Sequence, residues 1–401
     1  MYIVLGVCSI IAAFYGIYRS FRKKDMLVFI WIIVEYYTII SLVSSLSPEN
    51  LQVSEDIKNT YMLSMLLCVG GFLLSDFLFN RKEKKTVSLD ALLSNKKIWL
   101  YIEIVYWISM GLTYFTLIEI DYIEYNTNNK GGGWAQCFFQ LSACINFVFV
   151  YKKKYLKLFI SILTVFVIIE AIQVRSFLYF PLMPVVFFYL YKNITSVSSF
   201  KKFIKSSVPI IALLLVAAIA LSLTRFGEFK MPEAELTSIA FNSIDKWYLG
   251  DQYFISTGHY FYRLLGPIVN MLSHFGINIE SPVEMFPSVP RINAMLFSGL
   301  NSVDFLENAS HMPGTIFLDL YVSWGYWGGF YAVVIYFFFI KIFGWLQKDA
   351  FTLVLFSAIA GWHFYMLLRG SVDTCSSGIG YAFWMSLIIY WIFRYSQSRK
   401  K

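Results

Sequence analysis

Charge is what this 401-residue chain has least of: Asp, Glu, Lys and Arg together make up only 14% of it, where soluble domains run near a quarter. So little charge does not fit a water-facing surface of ordinary extent. Cysteine is also scarce. Of the five, Cys8, Cys68 and Cys144 sit inside apolar runs and Cys137 and Cys375 at the edges of theirs, with no CxxC or Cys/His spacing. That argues against a disulfide framework and against a zinc site. The chain lacks a G-x-x-x-x-G-K-[ST] phosphate loop and a G-x-G-x-x-G fingerprint, so ATP hydrolysis and dinucleotide chemistry are not expected. No carboxylate/His cluster has ligand spacing, so neither a metal nor another cofactor is expected. There is no internal repeat at a fixed period, nor the matched pair of broken helices that an inverted-repeat transporter would show. A cleavable leader is not expected either, because the first apolar run starts at Met1 and ends in a basic cluster.

What the chain has in abundance is apolar surface: 58% hydrophobic residues, 19% aromatic, and a mean hydropathy of +0.61. Apolar runs of about 20 residues recur along the length, which is what crossing a hydrocarbon core of about 30 Å requires. Backbone amides find no water there, so each run is expected to be a helix. The pattern predicts an all-α integral membrane protein with about eleven transmembrane helices, near 2–18, 26–47, 61–79, 98–117, 134–151, 155–173, 176–191, 207–224, 327–346, 350–368 and 377–394. The whole of 1–401 then forms a single polytopic domain.

The formal net charge of +8 is explained by position. Of the 33 Lys and Arg, 24 lie in short clusters between the runs: Arg19 to Lys24, Arg81 to Lys97, Lys152 to Lys157, Lys192 to Lys205, Lys341 with Lys348, and Arg394 to Lys401. They fall in alternate loops. By the positive-inside rule this sets the N-terminus outside and the C-terminal tail in the cytoplasm. The charge is topological, and nucleic acid is not implied. One connection is long: Arg225 to about Met312, all on the outer face. Its stretches Tyr260–Phe275 and Val283–Phe297 are too short to span and suit pieces that lie on the membrane or cap a cavity. Loops of this length in a compact protein tend to be functional.

The nine remaining basic residues face outward, and five of them are arginines: Arg175, Arg225, Arg263, Arg291 and Arg369. A topological charge can be Lys or Arg, but only Arg offers a planar fork that grips phosphate oxygens in two places. Arg175, Arg225 and Arg369 fall at outer ends of predicted helices and Arg263 follows an aromatic stretch, the level at which a lipid-linked diphosphate lies. The plain alternative is arginines that snorkel to anchor helix ends. A second candidate is the stretch Asn308–Phe330. His311 precedes Met312, Pro313 and Gly314, which suggest a turn and a helix start, and Asp319 follows five residues into that helix. An ionisable group entering the membrane costs roughly 2.5–3.5 kcal/mol at its centre and is a functional hint by default. His311, with an ordinary pKa of about 6.5, suits a general base; the bland alternative is a structural His. Glu35, Asp76, Glu103, Glu170 and His363 are the other polar groups in apolar runs. Asp76 and Glu103 are expected near cytoplasmic helix ends. Glu35, the most central, is expected to pair with a neighbouring helix, or else to serve a proton-coupled transporter.

Many helices, a late outer loop, outer arginines and a closing acidic-x-Tyr-x-x-aromatic-Gly-x-x-Gly element together resemble the Wzy-type O-antigen and capsule repeat-unit polymerases. That element is carried by Asp319, Tyr321, Trp324, Gly325 and Gly328, and the pairs Arg175 with Ser176 and Arg369 with Gly370 resemble family motifs too. Family members often carry Glu where this chain has Asp319. The resemblance implies a GT-C-like, metal-independent glycosyltransferase of the bacterial inner membrane. It would join undecaprenyl-diphosphate-linked oligosaccharides, with membrane lipid around it and a chain-length regulator as partner. On this view Arg175, Arg225, Arg263 and Arg369, with His259 and Tyr321, bind substrate. His311 is the first-choice base and Asp319 the second. The related O-antigen ligases share the layout. A polysaccharide or lipid transporter without covalent chemistry, and a sugar acyltransferase with an intramembrane His363 near Arg369, are rivals from other classes.

Overall fold

The computed structural model describes residues 1–84, 96–120, 133–172, 175–209 and 315–369, with shorter stretches between them such as 87–89 and 237–241. The described residues contain helices and turns and no strand. The helices are α1 (Tyr2–Arg22), α2 (Val28–Ser45), α3 (Glu55–Phe79), α4 (Lys96–Leu117), α5 (Gly133–Ser142), α6 (Ile145–Tyr151), α7 (Tyr155–Ile172), α8 (Tyr179–Ser196), α9 (Ile316–Trp324), α10 (Gly328–Leu346) and α11 (Ala350–Arg369). Among the described residues, five stretches are long and apolar enough to cross a membrane: α1, α2, α3, α4 and Gly325–Leu346. A sixth is added if the two halves of α11, bent by 52°, count as one span. The predicted helices near 207–224 and 377–394 and the loop 225–312 lie largely outside the described residues.

The chain divides into two compact units: Met1–Lys84 with Met231–Phe343 and Phe364–Gly380, and Lys85–Lys230 with Gly344–His363 and Tyr381–Lys401. In the first, α1 packs against both α2 and α3, and its two faces are the reverse of a soluble helix. The buried face is mostly small, Gly6, Ser9, Ala13, Gly16 and Ser20, joined by Ile17 and Phe21 toward its end, while Val4, Val7, Ile11, Phe14 and Tyr18, at three- and four-residue spacing, point outward. In water that stripe would be costly; against lipid tails it costs nothing, and small inward residues let backbones approach. Trp31 of α2 lies on Gly16 so closely that a methyl group there would overlap the indole, and Leu42 does the same at Gly6, 2.8 Å from the position a Cβ would take.

The start of α3 follows capping chemistry. Ser54 accepts a hydrogen bond from the Ile57 N–H at 3.4 Å, and Glu55 and Asp56 occupy the first turn, where the helix dipole favours acids. α9 and α10 are two pieces of one path, broken at Gly325. That residue takes φ 56°, ψ −138°, outside the range of ordinary L-residues. Gly329 on α10 and Gly71 on α3 meet backbone to backbone, with no room for a side chain at Gly71.

In the second unit, α4 packs on α5, and α6 on α8. Near the starts of α4 and α7, Glu103 pairs with Lys157. The hydroxyls of Tyr106 and Ser161 join the same two helices deeper in. On α8, Met183 and Phe187 close over Gly361 of α11.

Candidate functional site

The two ends of the first unit differ in chemistry. At one end, α1 closes with Arg19, Arg22 and Lys23, and α3 delivers Asp76 and Asn80. Asp76 is fully buried and takes Arg19 and Lys23 as ion-pair partners, the latter at 3.2 Å. The Arg19 guanidinium also lies 3.9 Å from the centre of the Phe77 ring. Asn80 donates to both Asp76 and Asp25, at 2.9 Å each. Asp25, in the turn between α1 and α2, further accepts from the Leu27 N–H at 3.1 Å and has Lys84 at 4.0 Å. Burial pushes its carboxyl above the ordinary aspartate range, and burial likewise pulls the Lys23 ammonium below that of ordinary lysine. The arrangement is a structural clamp. It joins the α1–α2 turn, the end of α3 and the segment leaving α3, and Asp76 offsets the charge of Arg19 and Lys23 within it. Asp76 thus sits among basic residues at a helix end, as expected, and so does Glu103. Asp25 and Asn80 were not singled out from the sequence. Their signal is faint, because neither lies within an apolar run.

The opposite end is built on hydroxyls. α2 buries Thr38, Ser41, Ser44 and Ser45 at helical spacing. Ser41 and the Tyr61 hydroxyl of α3 are 3.1 Å apart, and Tyr61 is in turn 2.9 Å from the Thr315 hydroxyl. One turn along, Ser64 donates to the Phe317 carbonyl at 2.9 Å. These bonds dock the start of α9 on α3. Thr315 is the residue before α9, yet its hydroxyl serves Tyr61 and does not cap its own helix. Asp319 supplies the negative charge in that first turn; it is 1% exposed, and its N–H donates to the Thr315 carbonyl at 3.0 Å. Tyr321, two residues on, is buried with its ring edge-on to Tyr326. Thr315 pairs with Tyr61, Phe317 with Ser64, and Gly329 with Leu67 and Gly71, so α9 and α10 run alongside α3 in the same direction.

Arg369 reaches the same level by a separate route. Tyr37 of α2 and Tyr365 of α11 are ring neighbours, 6.5 Å apart. Both helices run away from the basic end, so four residues further, about 6 Å along each axis, α2 presents Ser41 and α11 presents Arg369. Asp319, Tyr321 and Arg369 therefore belong to one half of one unit. Arg175 opens a short 3-10 turn, Arg175–Leu178, between α7 and α8 of the second unit. His311, His259, Arg225 and Arg263 lie outside the described residues. Glu35 departs from the expected interhelical pairing: its Oε2 is buried and accepts no hydrogen bond among the described residues. His363 is buried in α11, six residues before Arg369, a spacing that does not stack side chains on a helix. No group of three or more His, Cys, Asp or Glu among the described residues is arranged to hold a metal ion.

Tyr61 and its hydroxyl partners were missed from sequence. The readable signal was the repetition of Thr38, Ser41 and Ser45 on one face of an otherwise apolar run. Compared with protein-family profiles, with curated proteins and with solved structures, the chain matches none.

Proposed function

We propose that this protein polymerises lipid-linked oligosaccharide repeat units, transferring a growing glycan from one polyprenyl diphosphate to the next carrier-bound unit. The observation that carries the reading is Asp319, a carboxylate 1% exposed on a short helix of an apolar bundle. It lies in the half of the unit that also holds Arg369 and is remote from the basic clamp. In the transfer, an acceptor hydroxyl oxygen bonds to the anomeric carbon as the bond to the diphosphate oxygen breaks. The electron pair leaves with the diphosphate and the hydroxyl proton goes to a base. Arginine forks offset the charge that develops on the leaving group, with Arg369 the described candidate and Arg175, Arg225 and Arg263 the others. His311, eight residues before Asp319, takes the proton, and Asp319, deeper along α9, orients the imidazole or an arginine. The related ligase reaction has the same chemistry with a different acceptor.

The test is a gel of lipid-linked glycans from a strain lacking its own polymerase and complemented with variants. His311→Ala is expected to abolish chain growth while single lipid-linked repeats accumulate, and Asp319→Asn to weaken the ladder without removing it. Normal ladders from His311→Ala, with none from Asp319→Asn, would make the carboxylate the base. No ladder even from the unaltered chain would remove the polymerase reading. The unpartnered Glu35 oxygen favours a second reading, a proton-coupled transporter. There Glu35→Gln would stop transport, whereas a polymerase would keep its ladder.

A further inference from the structure

Beside the clamp, four helices of the first unit each bring one fully buried polar side chain to the same level: Ser20 of α1, Trp31 of α2, Ser75 of α3 and Tyr336 of α10. Ser20 adjoins Arg19 and Ser75 adjoins Asp76, so the ion pair between those neighbours sets the two serines side by side. Trp31 lies on Gly16, one turn from Ser20, and its ring is 5.3 Å from that of Tyr336. On the parallel pair α3 and α10, the Cβ position at Gly71 is 2.9 Å from the Ala332 methyl group. One turn further along each helix come Ser75 and Tyr336. The Tyr336 hydroxyl faces Trp31 and Ser20 and lies in the field of Asp76 and Asp25. Even so, no contact among the described residues has the distance and angle of a hydrogen bond to Ser20 Oγ, Trp31 Nε1, Ser75 Oγ or the Tyr336 hydroxyl.

A serine inside an apolar helix ordinarily bonds back to a carbonyl of its own preceding turn. Ser9, Ser109 and Ser357 do so here, with the Leu5, Val105 and Val354 carbonyls. Ser20 and Ser75 do not. A buried polar group left without a partner is costly, and native interiors hold few of them; four gathered at one level call for a shared occupant. Their chemistry selects it. Trp31 Nε1 can only donate, so the occupant must accept a hydrogen bond, which a bare cation cannot do. Asp76 and Asp25 stand beside the group, which disfavours an anion. What remains is a small neutral molecule that both accepts and donates. We propose that Ser20, Trp31, Ser75 and Tyr336 together hold a buried water, which accepts from the indole and bridges the three hydroxyls. Two to four polar partners are what a buried water requires. Such a water joins α10 to α1, α2 and α3 just inside the clamp, whatever reaction the protein performs.

Pulsed X-ray radiolysis turns a bound water into hydroxyl radical where it sits, and the radical oxidises the side chains it touches. The full-length protein, purified in a neutral detergent, would be irradiated and its peptides read by mass spectrometry. Tyr61 and Tyr106 are the controls, since both are as fully buried as Tyr336 but have hydroxyl partners within the protein. Tyr336 is expected to be oxidised several-fold more than either; oxidation no greater than theirs overturns the water site. A second measurement turns on sign. If the four groups share a water, the double variant Ser20→Ala, Ser75→Ala removes two of its partners, so the melting temperature falls and the excess oxidation of Tyr336 is lost. If the group is dry, the same variant removes two unpartnered hydroxyls and the melting temperature rises, which also overturns the proposal. Should the double variant fail to fold, the comparison of the three tyrosines in the unaltered chain decides alone.

Discussion

At Gly16, where Trp31 lies against the α1 backbone, and at Gly71, where α10 approaches α3 at Gly329, even a methyl group finds no space. The neighbouring Gly70 and the distant Gly111 have nothing within 4 Å of the position a Cβ would occupy. All four are helical, so intrinsic propensity treats them alike and favours alanine by roughly 1 kcal/mol. Packing separates them. Gly71→Ala is expected to lower stability by about 1–3 kcal/mol, the usual cost of overfilling a packed interior, while Gly70→Ala and Gly111→Ala leave it unchanged or raise it. Thermal unfolding of the detergent-purified variants measures this. A Gly71→Ala protein as stable as Gly70→Ala would mean the α3–α10 approach is looser than described.

The clamp formed by α1, α2 and α3 makes stability depend on pH with two signs. Asp25 is held above its ordinary value by burial, so in the window between those values the folded state binds more protons than the unfolded one. Stability contributed there falls as pH rises. Lys23 is displaced downward by burial, so between its lowered and ordinary values the folded state binds fewer protons, and stability rises with pH. Asp25→Asn is expected to flatten the acid-side fall in melting temperature and leave the alkaline side as it was; an unaltered acid limb would show that Asp76, Lys84 and Asn80 leave no net shift at Asp25. The element scale also shows what sequence could and could not convey. Hydropathy placed α3 at 61–79, but the helix begins at Glu55, because Ser54 and two acids start it and polar caps do not register as apolar. Hydropathy began a span at 327. The turn at Pro313 and Gly314 placed a helix start just ahead of Ile316, where the chain is helical. Nothing in the pattern placed the break at Gly325, because the break is a backbone property of one glycine. The reading of Arg19 and Lys23 as topological charges did not anticipate that they pair with Asp76. Asp319 and Arg369 were singled out from charge type and position. Tyr61 was not, because a buried tyrosine gives no signal until its partners, 20 and 254 residues away, are known.

For the molecule as a whole, alternate basic loops give a topology open to direct test. A reporter active only outside the cytoplasm is expected to give signal when fused after Lys246 and none after Lys154 or Lys401. Signal at Lys154 would break the helix count. The inward face of α1 has a further consequence for genetics. Gly6, Ser9, Ala13, Gly16 and Ser20 are buried, and the information they carry is the bulk they omit. An alanine scan would register Gly16, where a methyl group overlaps the Trp31 indole, and pass quietly over Ser9 and over the lipid-facing stripe, where apolar residues are interchangeable. Sensitivity along the rest of the seam would surface in a scan toward large residues, and a map of tolerated substitutions along α1 would look inside out beside that of a water-soluble helix.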